Sequence, residues 1–106
     1  IKNIKSPFMT IGFETLSNIR KEVTAGIHPY DYSARPQILS KSQNENYYNL
    51  IEEFFKLSGV PALLNTSYNL HGSPIVNDVK DAVYTFENSS LNYVLFNYKY
   101  LISKGS

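Results

Sequence analysis

Apolar residues recur at helical spacing in two stretches of the chain. In the first, Tyr47, Leu50, Ile51, Phe54 and Leu57 line one side of a 3.6-residue repeat. Just before it, Ser42-Gln-Asn-Glu45 has the Ser-x-x-Glu spacing in which each side chain satisfies the other residue's backbone N–H, so a helix is expected to open there. It should stop near Ser58, because Gly59 suits the left-handed residue after a helix and Pro61 cannot continue one. The second stripe is Val79, Ala82, Val83 and Phe86. Asn77 or Asp78 can cap it, Asp78 and Asp81 lie near its positive end, and Asn88-Ser-Ser90 ends it.

Shorter apolar runs predict strands. Residues 6–13 follow this pattern, and residues 23–27 and 35–40 flank the turn-rich stretch His28-Pro-Tyr-Asp-Tyr-Ser33, a loop able to hold side chains outward. Residues 14–21 are ambiguous. Ala62-Leu-Leu64 is short and wholly apolar, as a buried strand would be, and leads into Asn65-Thr-Ser-Tyr-Asn69, a loop closed by Gly72 and Pro74. From 91 to 102 the alternate positions Val94, Phe96, Tyr98, Tyr100 and Ile102 are apolar or aromatic, which fits one long strand or two shorter ones. Tyr93, Tyr98 and Tyr100 are read as sheet packing, and Phe54 and Phe55 as core contacts, with room for one of them at a surface left by missing sequence. The pattern implies a mixed α/β (α+β) domain spanning residues 1–106 with two helices.

Composition narrows the function. Ten Lys and Arg against nine Asp and Glu leave a formal charge of +1, with the basic residues scattered, so nucleic acid is a poor partner. No cysteine is present, which removes disulfides, thiolate nucleophiles and Cys-based metal sites. His28 and His71 have no ligand spacing, and no protein-held metal is expected. No apolar run approaches the ~20 residues of a membrane span, so a soluble, cytoplasmic protein without a membrane partner is expected. The chain opens at Ile1 without an initiator Met and ends Lys104-Gly-Ser, which suggests a piece excised from a longer polypeptide.

The polar centre is the loop 65–69. Asn65, Ser67 and Asn69 carry neutral donors and acceptors, groups that can read an uncharged ligand with one carbonyl and one amino group. The same side chains can also satisfy their own loop backbone. Arg35 offers a planar, permanently charged fork suited to phosphate, although an exposed ion pair is the plainer role for such a residue.

Leu64-Asn-Thr-Ser-Tyr-Asn69 with Gly72 and Pro74-Ile-Val76 resembles the Leu-Asn-Thr-Ser-Phe-Asn-x-x-Gly-x-Pro-Ile-Val signature of NodU/CmcH-type carbamoyltransferases. Asp31-Tyr-Ser-Ala-Arg-Pro-Gln37 resembles that family's Asp-Gly-Thr-Ala-Arg-x-Gln segment, and Ser6-Pro-Phe-Met9, Tyr47-Tyr-Asn-Leu50 and Ser58-Gly-Val-Pro61 fall in the family's order. Thr66-Ser67-x-Asn69 is also similar to the Ser-x-Asn element of threonylcarbamoyladenylate synthases.

The resemblance implies the C-terminal part of a YrdC-like domain with a twisted mixed sheet, and formation of a carbamoyl adenylate from carbamoyl phosphate and ATP with Mg2+. An N-terminal domain of the same protein would then pass the carbamoyl group to a hydroxyl. On this reading Ser67 and Asn69 bind the adenylate, Asn65 orients the loop or adds a contact, Arg35 meets phosphate, and the fragment alone is inactive. His71 stands where the family usually has Arg, and Tyr32 where it has Gly, a position whose positive φ a tyrosine adopts with difficulty. These departures leave open a non-catalytic binding module that keeps the fold.

Overall fold

Both helices form where the apolar periodicity places them, in a computed structural model that describes residues 5–105. The first and last residues, on which the excision reading partly rests, lie outside the described residues. The fold is mixed α/β with two helices, as expected, and its strands among the described residues form small antiparallel sheets. Two compact units divide it, Ile1–Leu64 and Asn65–Ser106.

In the first unit, β1 (Phe13–Glu14) pairs antiparallel with β2 (Ser33–Ala34), Phe13 opposite Ala34 and Glu14 opposite Ser33. The strand expected over residues 6–13 is reduced to its last residue. Pro7 supplies no N–H to a ladder, and the Thr10 N–H turns back to the Phe8 carbonyl at 2.9 Å. Nor do residues 23–27 form a strand. Thr24 donates its hydroxyl to the Arg20 and Lys21 carbonyls, each at 3.0 Å, and this favours the short 3-10 turn Thr24–Gly26 instead. Residues 35–40 are irregular; the ladder lies at Ser33–Ala34 just before them.

Helix α1 (Glu45–Ser58) opens two residues later than the Ser42 spacing implied. Asn44 is its cap, accepting the Tyr47 N–H at 3.1 Å. Gln43 is drawn away to accept the Ser40 N–H and hydroxyl, so the turn before the helix has its own closure. The end falls as predicted, with Gly59 at φ 75° and its N–H on the Phe55 carbonyl. No side chain of α1 is buried; Phe54 and Phe55, expected in a core, are 39% and 48% exposed. Ala62-Leu-Leu64 forms no strand and Leu64 is 63% exposed: an apolar run becomes a buried strand only when a neighbouring strand takes its N–H and C=O groups.

The second unit holds the apolar core. Asp78 caps α2 (Val79–Glu87) by accepting the Asp81 N–H at 2.9 Å, and the helix buries Ala82, Thr85 and Phe86. The alternating run beyond it folds as a hairpin, β3 (Tyr93–Phe96) with β4 (Tyr100–Ser103), Val94 opposite Ile102 and Phe96 opposite Tyr100. Asn97 and Tyr98 both take positive φ and the Lys99 N–H donates to the Phe96 carbonyl, the mirror-image turn that suits strand twist. Of the two arrangements expected, the two shorter strands form, and Tyr98 falls in the turn between them. Tyr93 and Tyr100, expected to pack, are 64% and 67% exposed.

Candidate functional site

The loop 65–69 begins the second unit and is fastened at its fourth position. The Tyr68 hydroxyl donates to the Ala82 carbonyl on α2 at 2.7 Å, and burial pushes this phenol above its ordinary pKa, so it stays a neutral donor. The Val76 N–H closes the loop onto the Tyr68 carbonyl at 3.0 Å. Gly72, at φ 82°, and the Ser73 N–H on the Leu70 carbonyl make the turn between them.

Ser67 is exposed and its hydroxyl has no hydrogen bond among the described residues. Asn69 behaves differently. Its amide nitrogen donates to the Leu70 carbonyl at 2.9 Å and the Ser73 carbonyl at 3.0 Å, so both donors serve the loop itself while the side-chain oxygen takes no proton from the described residues. Asn65 is exposed at the start of the loop. Two shallow hollows line the flanks of α2 and the hairpin; Tyr68 borders one of them, and neither includes Ser67 or Asn69.

Arg35 belongs to the first unit, apart from the other three candidates in chain division. It is exposed and makes no ion pair or hydrogen bond among the described residues, so the surface pairing expected of an ordinary arginine is absent there. The preceding loop is tightly tied. The His28 N–H donates to the Ser33 carbonyl and the Tyr32 N–H to the His28 carbonyl, at 2.8 and 2.9 Å. Asp31 accepts the Ser33 N–H at 2.8 Å, and that bond, with the Ser33 hydroxyl and the nearby His28, holds its carboxyl below the usual carboxylate range.

Tyr32 adopts φ 56°, the left-handed conformation that a glycine takes without strain and a tyrosine adopts with difficulty. Its carbonyl accepts the Thr15 hydroxyl at 2.6 Å and the Thr15 N–H at 3.2 Å, and the Arg20 guanidinium lies 4.3 Å from the centre of its ring. Arg20 in turn donates to the Thr15 carbonyl at 3.0 Å. A tyrosine therefore does hold positive φ at this position. Contacts from residues 15 and 20 hold it, and no local motif announced them.

His71 is exposed in the turn beside Gly72. Among the described residues no three His, Cys, Asp or Glu side chains gather closely enough to hold a metal ion, and no helix is long and apolar enough to cross a membrane.

Residues 1–104 match the family described as "Carbamoyltransferase C-terminus". The chain is 43% identical over 99 residues to an uncharacterized protein of Methanocaldococcus jannaschii, covering 93% of this chain and 19% of that protein. It is 40% identical over 98 residues to the nodulation protein NolNO of Sinorhizobium fredii, covering 92% and 14%. It is 37% identical over 76 residues to nodulation protein U of Rhizobium tropici, covering 72% and 13%. The chain thus spans less than a fifth of the length of these relatives.

Proposed function

The chain belongs to the family of carbamoyltransferase C-termini, and from that membership we propose that it supplies carbamoyl- and nucleotide-binding residues to a longer, ATP-dependent O-carbamoyltransferase. Ser67 supplies a hydroxyl to a carbonyl or phosphate oxygen of a carbamoyl adenylate. Asn69 contributes through its side-chain oxygen, which suits the carbamoyl amino group, because its own amino group is engaged by the loop. Asn65 orients the loop. Arg35 meets phosphate with a charge-assisted fork.

The observation that carries this reading is Ser67: a hydroxyl within a family signature, presented to solvent without a protein partner among the described residues. Carbamoyl adenylate formation from carbamoyl phosphate balances only if water converts the mixed anhydride to carbamate and inorganic phosphate. A carbamate oxygen then attacks the α-phosphorus of ATP and pyrophosphate leaves. Pyrophosphate departure needs several positive charges. This chain offers Arg35; magnesium brought with ATP would add positive charge, and the remaining charge and an acceptor-binding domain would come from the rest of the longer protein.

Calorimetric titration of the full-length protein with a non-hydrolysable carbamoyl adenylate analogue tests the proposal. Ser67→Ala should weaken binding roughly fivefold or more, the value of about one lost hydrogen bond, with little change in melting temperature. Equal affinity in wild type and variant would favour the alternative, a binding module that keeps the fold without the chemistry. That alternative draws support from Asn69, whose donors already serve the loop.

A further inference from the structure

The most deeply buried side chain among the described residues is neither apolar nor catalytic. Ser6 is 1% exposed, and its hydroxyl donates to the Pro36 carbonyl at 2.9 Å, with the Phe8 carbonyl at 3.1 Å as a second acceptor. Its own carbonyl accepts the Ile38 N–H at 2.7 Å. Ser6 thus grips the chain at Pro36 and Ile38, on both sides of Gln37, with the first grip one residue beyond Arg35. On the other flank Ala34 is locked opposite Phe13 in the β1–β2 ladder. Between these fixed points stands Arg35 alone, and Pro36 restricts it further, because the proline ring bars the preceding residue from the helical region.

We infer that Ser6 is a positioning residue for Arg35, holding the backbone beneath a guanidinium that reaches for phosphate oxygens. The inference rests on the phosphate role proposed for Arg35. Burying a hydroxyl is costly unless it is bonded, and here the bonded partner is the carbonyl next to the candidate phosphate ligand. A side chain mounted on a fixed backbone loses only its own rotamer freedom on binding, so slackening residues 36–38 should weaken the phosphate contact even though Ser6 touches no ligand. ATP and carbamoyl phosphate both carry such phosphate oxygens, and the two sources are separated by varying each in turn.

The test measures pyrophosphate release by the full-length protein, recording the half-saturation concentration for each substrate and the limiting rate. Arg35→Ala should raise one half-saturation concentration roughly tenfold or more, as expected for losing bonds to a charged group. Ser6→Ala should raise the same one about fivefold, leave the limiting rate within about twofold, and add little when combined with Arg35→Ala, because coupled residues are not additive. Ser6→Cys, with similar bulk and a weak S–H donor, should fall between Ser6→Ala and wild type, and it carries the test if Ser6→Ala does not fold. Unchanged half-saturation in Ser6→Ala and Ser6→Cys, or effects that multiply fully with Arg35→Ala, would overturn the inference. No effect of Arg35→Ala on either substrate would instead overturn the phosphate role itself.

Discussion

Arg35 and Ser67 are both turned to solvent, yet the backbone beneath each is held by different forces. Around Arg35 the fastening is polar: a two-residue ladder, the Asp31 and Tyr32 bonds, and the buried Ser6 hydroxyl. Ser6 is the single buried side chain among the described residues of that unit. Around Ser67 the anchor is Tyr68, bonded to a helix whose Ala82 and Phe86 are each 5% exposed. Polar fastening depends on a few directional bonds, each worth about 1 kcal/mol, whereas an apolar anchor depends on packed volume. The two regions should therefore fail differently.

The largest expected effect is in the apolar region. Phe86→Ala should lower amide-exchange protection of α2 and the hairpin by about 3 kcal/mol or more, while the Tyr32 and Ile38 amides keep theirs. If protection falls equally in both regions, the contrast between them fails and they open as one. A smaller effect sharpens the account of α1: Asn44→Ala should cost the first turn of that helix about 1 kcal/mol, and Ser42→Ala less than about 0.5 kcal/mol, read from exchange of the Tyr47 and Tyr48 amides. The reverse order would restore the cap implied by the Ser-x-x-Glu spacing.

The smallest effect is acid titration of the loop before Arg35. Asp31 has its carboxyl lowered from the ordinary 3.8, chiefly by the Ser33 N–H. A depressed carboxyl stabilises the folded loop above its ordinary value, and that contribution is lost as pH falls through the lowered one. The amide resonance of Ser33 should therefore shift with a midpoint below 3.8, and Asp31→Asn should abolish the transition. A midpoint at or above 3.8 would mean that the bond does not hold the loop.

Legibility in the sequence differed by residue. Gly59 and Asp78 were readable because a left-handed residue and a short carboxylate solve a helix-end problem within four residues of themselves. The cap at Asn44 was obscured because Ser42 offered an equally good local solution, and Gln43 settled the matter by bonding to Ser40. Ala62-Leu-Leu64 looked like a buried strand because it is short and wholly apolar, but pairing depends on a neighbour, which composition cannot supply. Ser67 was legible as a site candidate through its signature, while the turning inward of Asn69 depended on where the Leu70 and Ser73 carbonyls fell.

From the order of residues alone came the two helices, the turn-rich stretch before Arg35, the loop at 65–69 and the family, because each is written in short-range periodicity, capping chemistry or a contiguous motif. Only the tertiary structure decided that Ser6 grips Pro36, that Arg20 and Thr15 hold Tyr32 at positive φ, and that Tyr68 ties its loop to α2. The physical reason is distance along the chain: those contacts join residues 12 to 30 positions apart, and a hydrogen bond between such partners leaves no trace in the pattern around either.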